Sequence, residues 1–372
     1  MNAVALTQEL VRIRTVNPLD PERPAAERLG KLLEDASWSV SLHEFAPGRA
    51  SVVARRAGGS DAAPLCFAGH LDTVPLGAAP WGHDPFGAEL AGDKLYGRGA
   101  SDMKSGVAAI VAAALQLSRA RLRGPGMTLV LVAGEETGCE GAAHLARTPG
   151  TLGRASALVV AEPTNNRPVI GHKGALWLRA RVRGVTAHGS MPERGVNAVV
   201  KAARAVLKLA DLRFDVPADP LLGAPTLNVG TFAGGLNVNS VPDEAVIGID
   251  LRTIPAQKHA QVRAQLAALL GPEVELLPVV DLEGIRTEET DPFVQRVLEA
   301  VAGATGEKAT PGSATYFTDA SVLTPAYGGV PTVVLGPGEM ALCHQTDEWC
   351  SVARIEQAVE AYLRIARGWC QV

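Results

Sequence analysis

The apolar positions along the chain fall into two kinds of run. Four are short and unbroken: "PLCFAG" (64–69), "MTLVLVAG" (127–134), "ALVVAE" (157–162) and "PTVVLG" (331–336). Rich in Val and Leu and without alternation, they predict strands buried on both faces of a sheet that helices cover. Helical spacing surrounds them. Residues 22–36 place Ala25, Leu29, Leu32 and Leu33 on one face, "MKSGVAAIVAAALQLSRA" (103–120) lies between two of the strands, and "SVARIEQAVEAYLRIARG" (351–368) predicts a C-terminal helix. The middle of the chain is patterned differently. "ALWLRARVRG" (175–184) alternates Leu176, Leu178, Ala180 and Val182 with Trp177, Arg179, Arg181 and Arg183, which is a strand with one wet face. Next come a helix over 197–212, strands over 225–232 and 244–253, a helix over 256–271 between Pro255 and Gly271, and a strand over 273–279. That order, β-α-β-β-α-β, is the split ferredoxin-like unit. The pattern predicts an α/β, mostly parallel-stranded domain made of residues 1–172 and 286–372, with a small ferredoxin-like α+β domain, 173–285, inserted in it.

Length agrees with this division, since 372 residues can fill two cores. A net charge of −4 makes the chain no polycation, so neither nucleic acid nor an anionic membrane surface is an expected partner. Five cysteines, odd in number and without a CxxC pair, argue against a disulfide framework or a thiolate zinc site and suit a reducing compartment, so the cytoplasm is expected. "MNAVALTQELVRIRTVNP" reads as an amphipathic helix instead of a signal peptide, and no apolar run approaches the length of a bilayer.

The chemistry sits where the apolar runs stop. His70 and Asp72 follow the first run, Glu135 and Glu136 the second, and Glu162 ends the third. Asp102 precedes the helix at 103–120, and His344 lies downstream of the last run. Ligands of open parallel sheets bind beyond the carboxyl ends of the strands. Two imidazoles and several carboxylates gathered there, with no cysteine among them, suit zinc or a similar divalent ion. About three protein ligands suffice for one catalytic zinc. His70, Asp102, Glu136, Glu162 and His344 exceed that and suit two ions roughly 3.5–4 Å apart, sharing a carboxylate. Each residue also has a plainer reading. His70 and Asp72 form a local hydrogen bond, the glutamate pair is solvated, Asp102 caps a helix, and His344 is an exposed loop histidine. "GRGAS" (97–101) has a Gly-x-Gly turn, but Asp102 stands where a dinucleotide fingerprint needs glycine and would repel phosphate. A dinucleotide-dependent oxidoreductase and a non-catalytic metal-binding scaffold are therefore remote alternatives. No GxSxG elbow occurs.

The motifs "GHLDTVP" (69–75), "YGRGASDMKSG" (96–106), "GEETGCEGA" (134–142), "AEPT" (161–164), "GVTAHGSMPERGVNAV" (184–199) and "HQTDEW" (344–349) run the length of the chain. Together they resemble the zinc-dependent acetylornithine deacetylase and succinyl-diaminopimelate desuccinylase family, with its aminoacylase and glutamate carboxypeptidase relatives. The resemblance implies a zinc-exopeptidase-like catalytic domain whose inserted domain is a lid and dimerisation domain. It implies two Zn2+, with Co2+ or Mn2+ as substitutes. His70 and Glu162 would hold one, Glu136 and His344 the other, and Asp102 would bridge them. Asp72 would orient His70 and raise its basicity. Glu135 would be the general base that takes a proton from the attacking water and hands it to the leaving nitrogen. His188 would steady the oxyanion, Arg252 would pair with a substrate carboxylate, and Asn239 would line the same pocket. The implied activity is hydrolysis of an amide, the N-acyl bond of an N-acyl-L-amino acid, with a glutamate carboxypeptidase or dipeptidase as the alternative. A homodimer through the inserted domain is also implied, with His188 reaching the partner's metals.

Overall fold

The computed structural model describes residues 2–372 and divides into two compact units. The larger comprises the chain up to Gly171 together with Arg286–Ser313 and Thr318–Val372; the smaller is His172–Ile285 with Ala314–Phe317. Among the described residues, no helix is long and apolar enough to cross a membrane.

The larger unit is built on a sheet in which Met127–Val132, Leu65–His70, Ala157–Val160 and Thr332–Val334 lie side by side and parallel. The three longer of these are buried at every position, as unbroken Val- and Leu-rich runs require. An antiparallel hairpin, Ser39–Ala46 with Arg49–Arg56, extends the sheet beyond Met127–Val132. The apolar pattern did not announce this hairpin, because Ser39–Ala46 is half wet on both faces.

Helices cover the sheet. Ser105–Leu117 is buried almost all round, which its alanines permit. It starts hard against the end of a strand: a Cβ on Gly106 would lie 2.2 Å from the Ala161 carbonyl oxygen. The C-terminal helix, Val352–Cys370, is pinned by Tyr362, whose hydroxyl donates to the Leu335 carbonyl at 2.5 Å and whose ring meets Phe67 edge-on at 5.5 Å.

The smaller unit is an antiparallel sheet in the order Thr226–Gly234, Glu244–Thr253, Gly174–Arg183, Val274–Leu282, with the helices Ala198–Ala210 and His259–Leu270 on it. Leu176, Leu178, Ala180 and Val182 point into its core, against Ile247, Ile249, Leu251 and Leu266. The second helix begins at His259 and not at 256, because Gln257 turns back to accept from the Ile254 amide at 3.2 Å. Thr226–Gly234 is an edge strand and largely exposed.

Candidate metal centre

Five chain segments bring polar side chains to the carboxyl ends of the parallel strands. His70 is the last residue of its strand and is buried. Glu135 and Glu136 begin the turn after Met127–Val132, and Glu162 follows Ala157–Val160 by two residues. Asp102 lies in the irregular segment Ala100–Lys104, with φ −117° and ψ 96°. It is therefore not the cap of the following helix, a place that Lys104 takes. His344 stands at φ 62° in the loop after Thr332–Val334, with about half of its side chain exposed.

Asp102 lies between the two imidazoles. Its Oδ1 is 3.1 Å from His70 Nε2, and its Oδ2 is 3.5 Å from His344 Nε2. Glu162 Oε2 is 3.8 Å from His70 Nε2, and Glu136 Oε1 is 3.2 Å from His344 Nε2. Three groups can each place one ligand atom per residue within 4.8 Å of the others: His70/Glu135/Glu136, and two donor sets joined through Asp102, namely His70/Asp102/Glu162 and Asp102/Glu136/His344. The two joined sets are nitrogen and oxygen only, the donor chemistry of a zinc-like divalent ion, and they share one carboxylate. Glu162 Oε1 is buried and meets no hydrogen-bond partner, which a cation would supply.

Crowding marks the same spot electrostatically. Burial raises Glu135, and Glu162 raises it further; burial and then Asp102 raise Glu136. Burial pushes Glu162 up to about 8 against the pull of His70. For His70 burial disfavours the charge, but Glu162, Asp102 and Asp72 outweigh it and hold the imidazole well above its usual range. Hydrogen bonds to Asp102 and Glu136 lift His344 to about 10. Burial would raise Asp102 as well, yet bonds from His344 and His70 bring it below the ordinary carboxylate range. Without a cation, protons balance these carboxylates; a divalent ion can replace them.

Asp72 does more than the sequence indicated. His70 Nδ1 is 3.0 Å from the Asp72 carbonyl and 3.5 Å from its carboxylate. That carboxylate also accepts from the amides of Glu135 at 3.1 Å and Glu136 at 3.0 Å, and from the Asn17 side chain. One buried anion thus fixes an imidazole and the turn that carries both glutamates. Two neighbours escaped the sequence reading. Cys139 Sγ lies 3.9 Å from Glu135 Oε1. Asp319 is fully buried beside Cys139, pushed up to about 7 chiefly by burial, and no nitrogen or oxygen donor reaches its carboxylate. Nothing local in "ATYFTDA" sets Asp319 apart, since it follows no apolar run.

His188, Asn239 and Arg252 belong to the smaller unit. His188 is exposed, with Nδ1 2.7 Å from Ser190 Oγ. Asn239 is exposed next to it, its carbonyl accepting from the Gly189 amide at 2.7 Å. Arg252 is half-buried, 3.0 Å from Asp250 and with its guanidinium 5.7 Å from the centre of the Trp177 ring.

The acetylornithine deacetylase of Proteus mirabilis (strain HI4320) is 28% identical to this chain, over 99% of it and 96% of its own length. A probable succinyl-diaminopimelate desuccinylase of Staphylococcus epidermidis is also 28% identical, over 99% and 98%. Among solved structures, an M20 family metallo-carboxypeptidase of Sulfolobus solfataricus superposes with a TM-score of 0.82 at 18% identity, over all of both chains. A dinuclear metal-binding peptidase of the same family from Bacillus subtilis gives 0.73 at 15%, over 100% of this chain and 98% of its own. The sequence model of peptidase family M20/M25/M40 matches residues 66–368, so the chain that gathers these imidazoles and carboxylates belongs to that family and is a metal-dependent hydrolase.

Proposed function

We propose that the chain cleaves the N-acyl amide bond of an N-acyl-L-amino acid at a two-metal centre. The observation that carries this reading is the pair of donor sets joined through Asp102, with Glu135 buried beside them and free of both. His70 and Glu162 would hold one ion, Glu136 and His344 the other, and Asp102 both. Zinc is the proposed metal, with cobalt or manganese as substitutes. When bound, such ions polarise the amide carbonyl and make water a better nucleophile. The rest is the work of side chains. Glu135 takes the proton of the attacking water and delivers it to the departing amine. Asp72 keeps the Glu135–Glu136 turn in place while this happens.

His188, Asn239 and Arg252 are proposed to meet the substrate, with His188 at the developing oxyanion and Arg252 at a carboxylate. An arginine suits the latter because its fork matches the two oxygens of a carboxylate; here two of its nitrogens donate to a single Asp250 oxygen, Oδ2, each at 3.3 Å. We propose further that the protein is a homodimer through the smaller unit. The edge strand Thr226–Gly234 and the segment after it expose Phe232, Leu236 and Val238, and unpaired edges with apolar side chains favour pairing with a twin. A cytoplasmic location accords with five free cysteines.

Deacylation is preferred to peptidase action because the relatives that share 28% identity are named for it. The test is a panel of N-acetyl and N-succinyl amino acids set against dipeptides and tripeptides, read as released amine. Turnover confined to the acyl amino acids supports the reading. Turnover confined to the peptides replaces it with a dipeptidase or carboxypeptidase at the same centre.

A further inference from the structure

Glu348 lies outside both donor sets, yet its carboxylate is fully buried and holds the loop that carries Asp102. Oε1 accepts from the amides of Ser101 at 2.8 Å and Asp102 at 3.0 Å. Oε2 accepts from the Gly99 amide at 3.1 Å and from Arg98 Nη1 at 2.6 Å. Arg98 is equally buried. Its other terminal nitrogen donates to the Pro75 carbonyl at 3.1 Å, and its guanidinium covers the Trp81 ring at 5.2 Å. The Glu348 carbonyl accepts from Gly97 at 2.8 Å. One ion pair therefore joins three segments: the loop that leaves His70 and Asp72, the loop of Asp102, and the loop of His344.

His344 depends on this junction more than the other ligands do. His70 and Glu162 are set by core strands. His344 stands in a loop with half its side chain in water, and that loop is tied down on either side of it. On one side Ser101 Oγ accepts from the Glu339 amide at 2.7 Å. On the other, Asp347 accepts from the amides of Gly82 and His83 at 2.8 and 3.1 Å, and Glu348 clamps residues 99–102. We propose that Glu348 is the positioning residue that sets Asp102 and His344 against each other, so that its loss weakens the Asp102/Glu136/His344 metal position selectively. The proposal rests on the two-metal reading above. Groups that orient metal ligands typically contribute about 10–100-fold to metal affinity. Gln cannot replace this carboxylate, since its NH2 must face either Arg98 and Gly99 or the amides of Ser101 and Asp102.

The experiment is a titration of metal-depleted protein with Co2+, following bound ions per chain and the visible absorption that reports cobalt geometry. Wild type, Glu348→Gln and Glu22→Gln are compared. Glu22 is the control, a buried carboxylate whose side-chain hydrogen bonds go to Arg49 and to no metal-ligand segment directly. The expected result is that Glu348→Gln takes up the first ion as wild type does, binds the second about tenfold or more weakly, and shows an altered absorption for it, whereas Glu22→Gln keeps both ions. Two wild-type affinities in Glu348→Gln, equal weakening of both positions, or the same loss in Glu22→Gln would overturn the proposal. If wild type itself holds fewer than two ions, the two-metal reading fails and the proposal falls with it. Should Glu348→Gln yield no folded protein, Glu348→Asp takes its place; it keeps the charge against Arg98, shortens the reach to residues 99–102, and has the same two outcomes.

Discussion

The carboxylates of this centre differ in what surrounds them. Asp102, Glu136 and Glu162 face imidazoles across gaps of a few ångströms. Asp72 is consumed by backbone amides and an asparagine. Glu135 is left with a thiol as its hydrogen-bonding neighbour, which is the state expected of a proton carrier. Glu135→Gln should retain full metal content and lose about 10²–10⁴-fold in turnover, checked by metal analysis alongside steady-state rates; loss of metal instead would exchange the roles of Glu135 and Glu136. The titrating groups give a pH prediction. Glu162 at about 8 and His344 at about 10 are both protonated at neutral pH in the metal-free centre, and both must be deprotonated to ligate. Metal binding should release protons at pH 7, and affinity should rise with pH through about 8. Calorimetry in two buffers of different ionisation enthalpy reads this directly, and a proton-neutral titration contradicts it. At this scale the sequence was most informative where a side chain ends an apolar run, as His70 does. It was least informative for Asp319, which reaches the same cluster from a segment whose local pattern says nothing about burial.

Elements carry the precision of the site. The helix Ser105–Leu117 and the strand Ala157–Val160 touch where Gly106 meets the Ala161 carbonyl, one residue before Glu162. Gly106→Ala must push a methyl into that oxygen. It should destabilise the protein by about 1–3 kcal/mol and displace Glu162, seen as a lower melting temperature together with weaker metal binding; an unchanged melting temperature would show that the contact relaxes freely. The core strands and helices were legible because burial on both faces and helical periodicity leave strong patterns. The hairpin of Ser39–Ala46 and Arg49–Arg56 was not, since one strand is half exposed and the other offers only a short apolar stretch between arginines. The irregular turn at Asp102 was equally hidden. Its sequence suits a helix cap, and only the amide bonds to Glu348, distant in sequence, show why the backbone departs from the helix there.

For the whole molecule, the central matter is which chain completes each site. The proposed dimer, with His188 acting on its partner's centre, predicts that co-expressed Glu135→Gln and His188→Ala chains recover about a quarter of native activity, because half of randomly paired dimers are mixed and each has one intact site. Mixed dimers isolated by two tags and found inactive would remove His188 from that role. Beneath this lies the claim that the centre is an amide-cleaving metal site, and one measurement addresses it most directly. Metal-depleted protein is assayed for amine release from N-acyl amino acids before and after Zn2+ is restored, with bound metal counted in the same samples. The account predicts no turnover without metal and full recovery as the second equivalent binds. Undiminished amide hydrolysis by protein shown to be free of metal would contradict it.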